Sequence, residues 1–255
     1  MLGEAFAEWQ GGAERWLLFT PHDDDVVIGA GMLLRVAADA GVETHIAVVT
    51  DGRMGYCSEE QKASITSIRR RETETALDVL GAPHVHWLGY PDCDLDHHTG
   101  RRAVEDSAPG IAGHTGLQNS FTALLRKLRP SRVFVPTGAD YHPDHKMVHR
   151  ELLVSLFHAS GAVWPELGEP LLSVPSLYEM AIYADFPGDP SIQLHGDSGL
   201  FDTKLAAVEA YRSQEQIAAL LHSMRQAGPY EYFRETPFRL YDSRGYRGLF
   251  EDSDD

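Results

Sequence analysis

The 255-residue chain has 43% apolar and 24% charged side chains, the balance of a folded globular protein, which excludes a disordered or fibrous architecture. Its 38 acidic side chains outnumber 22 basic ones, giving a formal net charge of -16, so the protein's field repels polyanions and nucleic acid is not an expected partner. No apolar run reaches the roughly 18 residues of a membrane helix, because the stretch 32–38 is cut by Arg35. Glu4, Glu8 and Glu14 stand where a signal peptide would carry a basic start and an apolar middle. Cys57 and Cys93 are too few for a disulfide framework and suit a reducing compartment, so a cytoplasmic location is expected.

In chain order, the apolar run 16–20 reads as a strand, and it empties into Pro21-His22-Asp23-Asp24-Asp25 before a helix over 26–40. The β-branched run 44–50 is a second strand, ending in Asp51-Gly52. Residues 59–80 follow with helical spacing at Ile65, Ile68, Ala76, Leu77 and Leu80, closed by Gly81 as the C-cap. A third strand is expected at 84–88, then an aperiodic loop over 90–116 rich in Asp, His, Gly and Pro. Helix 117–128 leads to strand 132–136, which empties into Thr137-Gly138-Ala139-Asp140-Tyr141-His142-Pro143-Asp144-His145 and a helix to about 157. A strand at 178–184 and one long amphipathic helix at 201–224 complete the pattern, and 251–255 is expected to fray. Strands alternating with helices predict a Rossmann-like α/β sandwich of three layers with a mostly parallel central sheet, formed as a single domain over 1–255. Ligands of such sheets collect beyond the carboxyl ends of the strands, where both His/Asp runs fall.

Two histidines and one carboxylate are the ligand set of a catalytic divalent metal with open coordination positions, and a spare carboxylate beside it can take a proton from water. Either run alone also has an ordinary explanation, since Asp caps helices and Pro143 suits a first helical position. Capping needs one Asp, however, and three successive carboxylates repel one another unless a cation relieves them.

Pro21-His22-Asp23-Asp24-Asp25 resembles the signature of the LmbE/PIG-L family of metal-dependent N-acetylglucosaminyl deacetylases, and His142-Pro143-Asp144-His145 matches its second motif. Thr50-Asp51-Gly52, Arg69 with Glu72, Gly89-Tyr90-Pro91-Asp92, Asp202-Thr203-Lys204 and Tyr211-Arg212-Ser213-Gln214 agree in order. The resemblance implies His22, Asp25 and His145 as zinc ligands, with Fe2+ an alternative ion. It also implies Asp24 as general base, His142 as oxyanion stabiliser or proton donor to the leaving amine, and Arg69 and Asp92 as substrate-binding residues. Adjacency alone leaves open which of Asp24 and Asp25 turns toward the metal. Asp23 stands where the family usually has Pro, and Val26 where an acidic residue is common. The implied partner is a small N-acetylated amino sugar or glycoconjugate, with no membrane segment, and a homo-oligomer is compatible with everything read so far.

Other residues carry weaker signals. His149 follows His145 by one helical turn, an arrangement that can bind zinc, although the three-ligand set is complete without it. His97 and His98 lie in the long loop, Cys93 lacks a His partner, and Gly29 and Gly31 fall short of a dinucleotide-binding fingerprint. Two readings compete with a deacetylase: a non-haem Fe(II) oxygenase, which uses the same ligand types, and a non-catalytic sugar-binding protein.

Overall fold

The computed structural model describes residues 2–6, 9, 11–104 and 110–249. The expected frayed end lies outside them. Element order is α1 (Leu2–Ala5), β1 (Arg15–Thr20), α2 (Asp25–Asp39), β2 (Glu43–Thr50), α3 (Ile65–Leu80), β3 (His84–Tyr90), β4 (Arg102–Ala103), β5 (His114–Thr115), α4 (Leu117–Leu128), β6 (Arg132–Pro136), α5 (Pro143–Ser160), β7 (Ser176–Met180), β8 (Ile192–His195), α6 (Ser198–Glu209), α7 (Ile217–Ala227) and β9 (Tyr230–Glu235).

Seven strands form one sheet in the order β3-β2-β1-β6-β7-β9-β8, parallel from β3 to β7, with β9 antiparallel to both its neighbours. Successive side chains of a strand face opposite ways, so continuous apolar strands feed two cores. Trp16, Leu18, Ile46, Val48 and Phe134 face α2, α3 and α6, whereas Leu17, Phe19, Ala47, Val49 and Val133 face α4 and α5. Each such side chain contributes about 1.5–3 kcal/mol on burial, so many anchors act together to hold the register and the strand ends. The three-layer, mostly parallel architecture expected from the pattern is therefore present.

Local departures have identifiable causes. The single helix expected over 201–224 is two helices, because the intervening turn is tied elsewhere. The Tyr211 hydroxyl donates to the Asp23 carbonyl at 2.7 Å, and the Ser213 amide and hydroxyl donate to the Glu72 carboxylate at 2.8 and 2.7 Å. The expected strand 178–184 is shifted to Ser176–Met180, and the chain then bends so that the Tyr183 amide donates to Asp140. Helix α3 begins at Ile65, six residues later than expected, and ends as anticipated on Gly81 in the left-handed region at φ 72°. The aperiodic loop 90–116 contains a 3₁₀ turn at Leu95–His98 and the short antiparallel pair β4–β5.

Strands β8 and β9 were not expected, since a buried Glu231 interrupts the apolar alternation of β9. Its carboxylate accepts the amides of Met32 and Leu33 at 2.8 and 2.9 Å and pairs with buried Lys204 at 2.7 Å. Those amides are free because α2 breaks at Ala30, where φ is -144°. Gly29 and Gly31 flank the break for packing reasons: a Cβ on Gly29 would lie 2.6 Å from Ile182 Cδ1, and one on Gly31 would lie 2.9 Å from Lys204 Cγ. Among the described residues no helix is long and apolar enough to cross a membrane.

Candidate functional site

Strands β1 and β6 are neighbours, yet the helices that follow them pack on opposite faces of the sheet. The crevice beyond such a switch point is where an open α/β sheet binds ligands. His22 and Asp25 enter it from β1, and His142 and His145 from β6. The first loop is fastened when Thr50, at the end of β2, donates to the Pro21 carbonyl through both its amide and its hydroxyl, each at 2.9 Å.

Three donor atoms converge. His22 Nδ1 lies 3.4 Å from Asp25 Oδ2, His145 Nε2 lies 3.3 Å from the same oxygen, and the two nitrogens are 3.3 Å apart. A tetrahedral ion with ligands at about 2.0–2.1 Å requires edges of about 3.3 Å, so this triangle fits a small divalent metal. Asp25 Oδ1 is buried with no hydrogen-bond partner, an atom left available to the same centre. His22 Nε2 donates to Asp92 Oδ1 at 3.1 Å and lies 3.5 Å from Asp144 Oδ2, and His145 Nδ1 lies 3.1 Å from Asp140 Oδ2, close enough to pair though not aligned for a hydrogen bond. Carboxylates behind ligating imidazoles fix the tautomer and the ring orientation.

The electrostatics follow from this enclosure. Burial alone would lower the histidines, but the Asp25 charge and the surrounding carboxylates outweigh it, raising His22 well above its ordinary range and His145 to about 9. Burial pushes Asp25 up, and the two imidazoles more than reverse that. The centre favours positive charge.

Asp24 turns away from the triangle. One of its oxygens accepts from Arg69 Nη2 at 2.9 Å, and its side chain lines a polar cavity of about 150 Å³ together with His22, Arg69, Asp92, His142 and Tyr183. Burial raises its pKa above the ordinary carboxylate value, opposed by Arg69 and reinforced by Asp23 and Asp25. Asp23, which stands where the family usually has Pro, points to Arg69 Nε at 2.6 Å and to the Thr73 hydroxyl at 2.9 Å, so its charge is paired away from the donor triangle. Val26, the other departure, is fully buried in the core beneath α2.

His142 is the N-cap of α5, its Nδ1 accepting the Asp144 amide at 3.2 Å. An amide can only donate, so Nδ1 carries the lone pair and Nε2 carries the proton of a neutral imidazole. The ring lies 4.6 Å from His22 and 5.3 Å from His145, centre to centre. His149 is turned away to Glu179 at 2.9 Å. His97 is exposed beside Asp94, and the Cys93 thiol is pushed up by burial and by the Asp92 and Asp144 charges. Several contributors were not singled out from the sequence. Asp140 and Asp144 sit within the second His/Asp run and could have been noticed there, whereas Tyr183, Gln214 and Gln216 reach the cavity from chain segments with no motif in the sequence reading or, for Gln214, only a supporting one.

Residues 17–155 match the model of the GlcNAc-PI de-N-acetylase (PIG-L) family. The chain is 28% identical over 232 residues to 1D-myo-inositol 2-acetamido-2-deoxy-alpha-D-glucopyranoside deacetylase 2 of Saccharopolyspora erythraea, covering 79% of this chain and 84% of that one. It is 27% identical over 209 residues to the probable N-acetyl-alpha-D-glucosaminyl L-malate deacetylase 2 of Bacillus cereus, with 78% and 83% covered. Its fold is that of the N,N'-diacetylchitobiose deacetylase of Pyrococcus horikoshii, with a TM-score of 0.68 at 24% identity over 92% of this chain and 88% of that one. The chain belongs to the PIG-L family.

Proposed function

We propose that the protein is a metal-dependent hydrolase that removes the acetyl group from an N-acetylglucosamine-type amino sugar or conjugate. The observation that carries this reading is the triangle of His22 Nδ1, Asp25 Oδ2 and His145 Nε2, with edges of 3.3–3.4 Å, beside a second carboxylate, Asp24, held by Arg69 through one oxygen. These three residues would hold the metal, most simply zinc given two nitrogen ligands and one oxygen ligand with no thiolate. When bound, such an ion polarises an amide carbonyl and lowers the pKa of water.

The remaining chemistry belongs to the chain. Asp24, raised by burial and held by Arg69 through one oxygen, accepts the proton of the attacking water, and a proton returns to the amine nitrogen, from Asp24 or from His142, as the oxyanion collapses and the C–N bond breaks. His142 offers Nε2–H to the oxyanion that develops on the former carbonyl, and its Nδ1 bond to the helix keeps that donor aimed without reorganisation. Arg69, committed to Asp23 and Asp24, sets the position and basicity of Asp24 while forming part of the cavity wall. Asp92 orients His22 from behind. The relatives are named as deacetylases, which leaves the oxygenase and non-catalytic readings without support.

The test is acetate and amine release from a panel of N-acetylglucosamine derivatives by protein loaded with Zn2+ or Fe2+, without oxygen. Stoichiometric acetate and free amine are expected. Turnover that requires oxygen would overturn the reading.

A further inference from the structure

A second cavity of about 270 Å³ adjoins the polar one, and Asp24, Tyr183 and Gln216 line both. The smaller cavity has the catalytic carboxylate and histidines. The larger one is walled by Ile28 from the first turn of α2, Ile182 from the bend after β7, and Ile217 and Leu220 from α7. The expected long helix is broken at 211–216, so α7 starts afresh at Ile217, and its Ile217, Ala219 and Leu220 line the same cavity as Ile28 of α2.

We propose that this slot receives an apolar part of the substrate, held directly beside the scissile amide. The proposal rests on the deacetylase reading and specifies its substrate class. The polar groups on the slot's wall, Asp24, Tyr183, Gln216 and Ser223, are outnumbered by Ile28, Ile182, Ile217, Ala219 and Leu220, so most hydroxyls of a second sugar would lose water against aliphatic side chains, which is costly, whereas an apolar group gains by leaving water there. An anionic substituent is disfavoured too. Asp24 lines both cavities, and among the described residues the only arginine or lysine lining either, Arg69, is already paired with Asp23 and Asp24. The half-exposed ring of Tyr183, 5.1 Å from that of His145, forms the partition between the two spaces, so a substrate spanning both must pass over it.

The apolar group could be supplied in two ways, as an acyl chain longer than acetyl or as an aryl or alkyl group on the sugar, and the experiment has one arm for each. Amine release is compared between N-acetyl- and N-hexanoyl-glucosamine, and between methyl and phenyl glycosides of N-acetylglucosamine in both anomers. In at least one arm the apolar member is expected to have a kcat/KM about tenfold higher. That ratio is expected to fall to within about twofold of unity both in Leu220→Asp, which makes the slot polar, and in Ala219→Phe, which fills it. Using both guards against one variant failing to fold. Calorimetric binding of the same pairs to metal-loaded Asp24→Asn gives a readout that needs no turnover. Absence of amine from every compound, with apolar members still binding about tenfold more tightly, would remove the deacetylase reading and leave the slot. A kcat/KM and affinity that never favour the apolar member, or a preference that survives both slot variants, would overturn the proposal.

Discussion

The same sheet carries a histidine group at each end, and the two behave oppositely. Beyond the carboxyl ends of the strands, His22, His142 and His145 sit among Asp25, Asp92, Asp140 and Asp144. Near the amino ends of β2 and β3, His45 Nδ1 meets His86 Nε2 at 3.1 Å and the His84 ring stacks on His45 at 4.9 Å. There Glu43 bonds His45 Nε2 at 2.8 Å and is shared with Arg15. Burial lowers the pKa of a histidine at both ends. At the upper end carboxylates reverse the effect for His22 and carry His145 to about 9, while His142 stays lowered; at the lower end burial prevails over the Glu43 carboxylate at His45, and at His86 the neighbouring imidazoles and Lys127 add to burial and leave it at about 4. Clustering of histidines therefore does not by itself set their charge; the number of carboxylates around each ring does.

The largest expected effect comes from breaking the upper triangle. His145→Ala should lose tight metal binding and reduce turnover by about a thousandfold or more, since even partners behind the ligands are worth 10–100-fold. Elemental analysis showing full occupancy in that variant would remove His145 from the ligand set. Asp24→Asn should keep its metal yet lose about a hundredfold to ten-thousandfold in kcat, because an amide cannot take the water's proton at neutral pH. The structure turns Asp25, not Asp24, toward the imidazoles, so metal retained in Asp25→Asn and lost in Asp24→Asn would reverse the two roles.

A hundredfold fall in kcat, with little change in KM, is expected for His142→Ala as an oxyanion donor is lost. The cap bond to Asp144 makes a stability loss of about 1 kcal/mol part of the same variant's signature. A variant that loses only stability, with kcat per folded molecule unchanged, would reduce His142 to a cap. Asp92→Asn should weaken metal affinity about 10–100-fold, because His22 loses the carboxylate that fixes its tautomer. If metal affinity is unchanged while KM rises, Asp92 belongs to substrate binding, as the family resemblance implies.

The upper group was legible in the sequence because its proposed ligands come from two short runs at strand ends, where topology guarantees convergence. The strands themselves were legible where they are buried on both faces, as in 16–20 and 132–136, since continuous apolar runs leave little ambiguity. Strand β9 was not, because Glu231 holds an inward position that only its partners in α2 and α6 explain. The break between α6 and α7 was hidden for the same reason: the periodicity runs through it, and the bonds that interrupt the helix go to Asp23 and Glu72, distant in sequence. The apolar slot is lined in part by α7, which starts after that break, so it had no local signature. Arg69 and Asp92 were found as residues, but the carboxylates and imidazole they engage became visible only in three dimensions.

The lower group offers the smallest effect and the sharpest control. With the folded-state value of His86 at about 4 and the ordinary value at 6.5, the unfolded chain takes up the proton first as the pH falls. Stability from this group is therefore fully present above about pH 6.5, declines between about 6.5 and 4, and levels off below. His86→Gln, which keeps a hydrogen-bonding group opposite His45 without a titrating one, should flatten that decline. His86 is only partly buried, so solvent screening limits the effect to about 1 kcal/mol, or about 2–4 °C in Tm for a chain of this size. Thermal melts of both proteins from pH 8 to pH 4 should run parallel above pH 7 and draw together in acid, with metal content and turnover at pH 7.5 unaltered. Melting curves that stay parallel throughout would mean that His86 is protonated as readily in the folded chain as in the unfolded one. The contrast between the two ends of the sheet would then lie in the upper carboxylates alone.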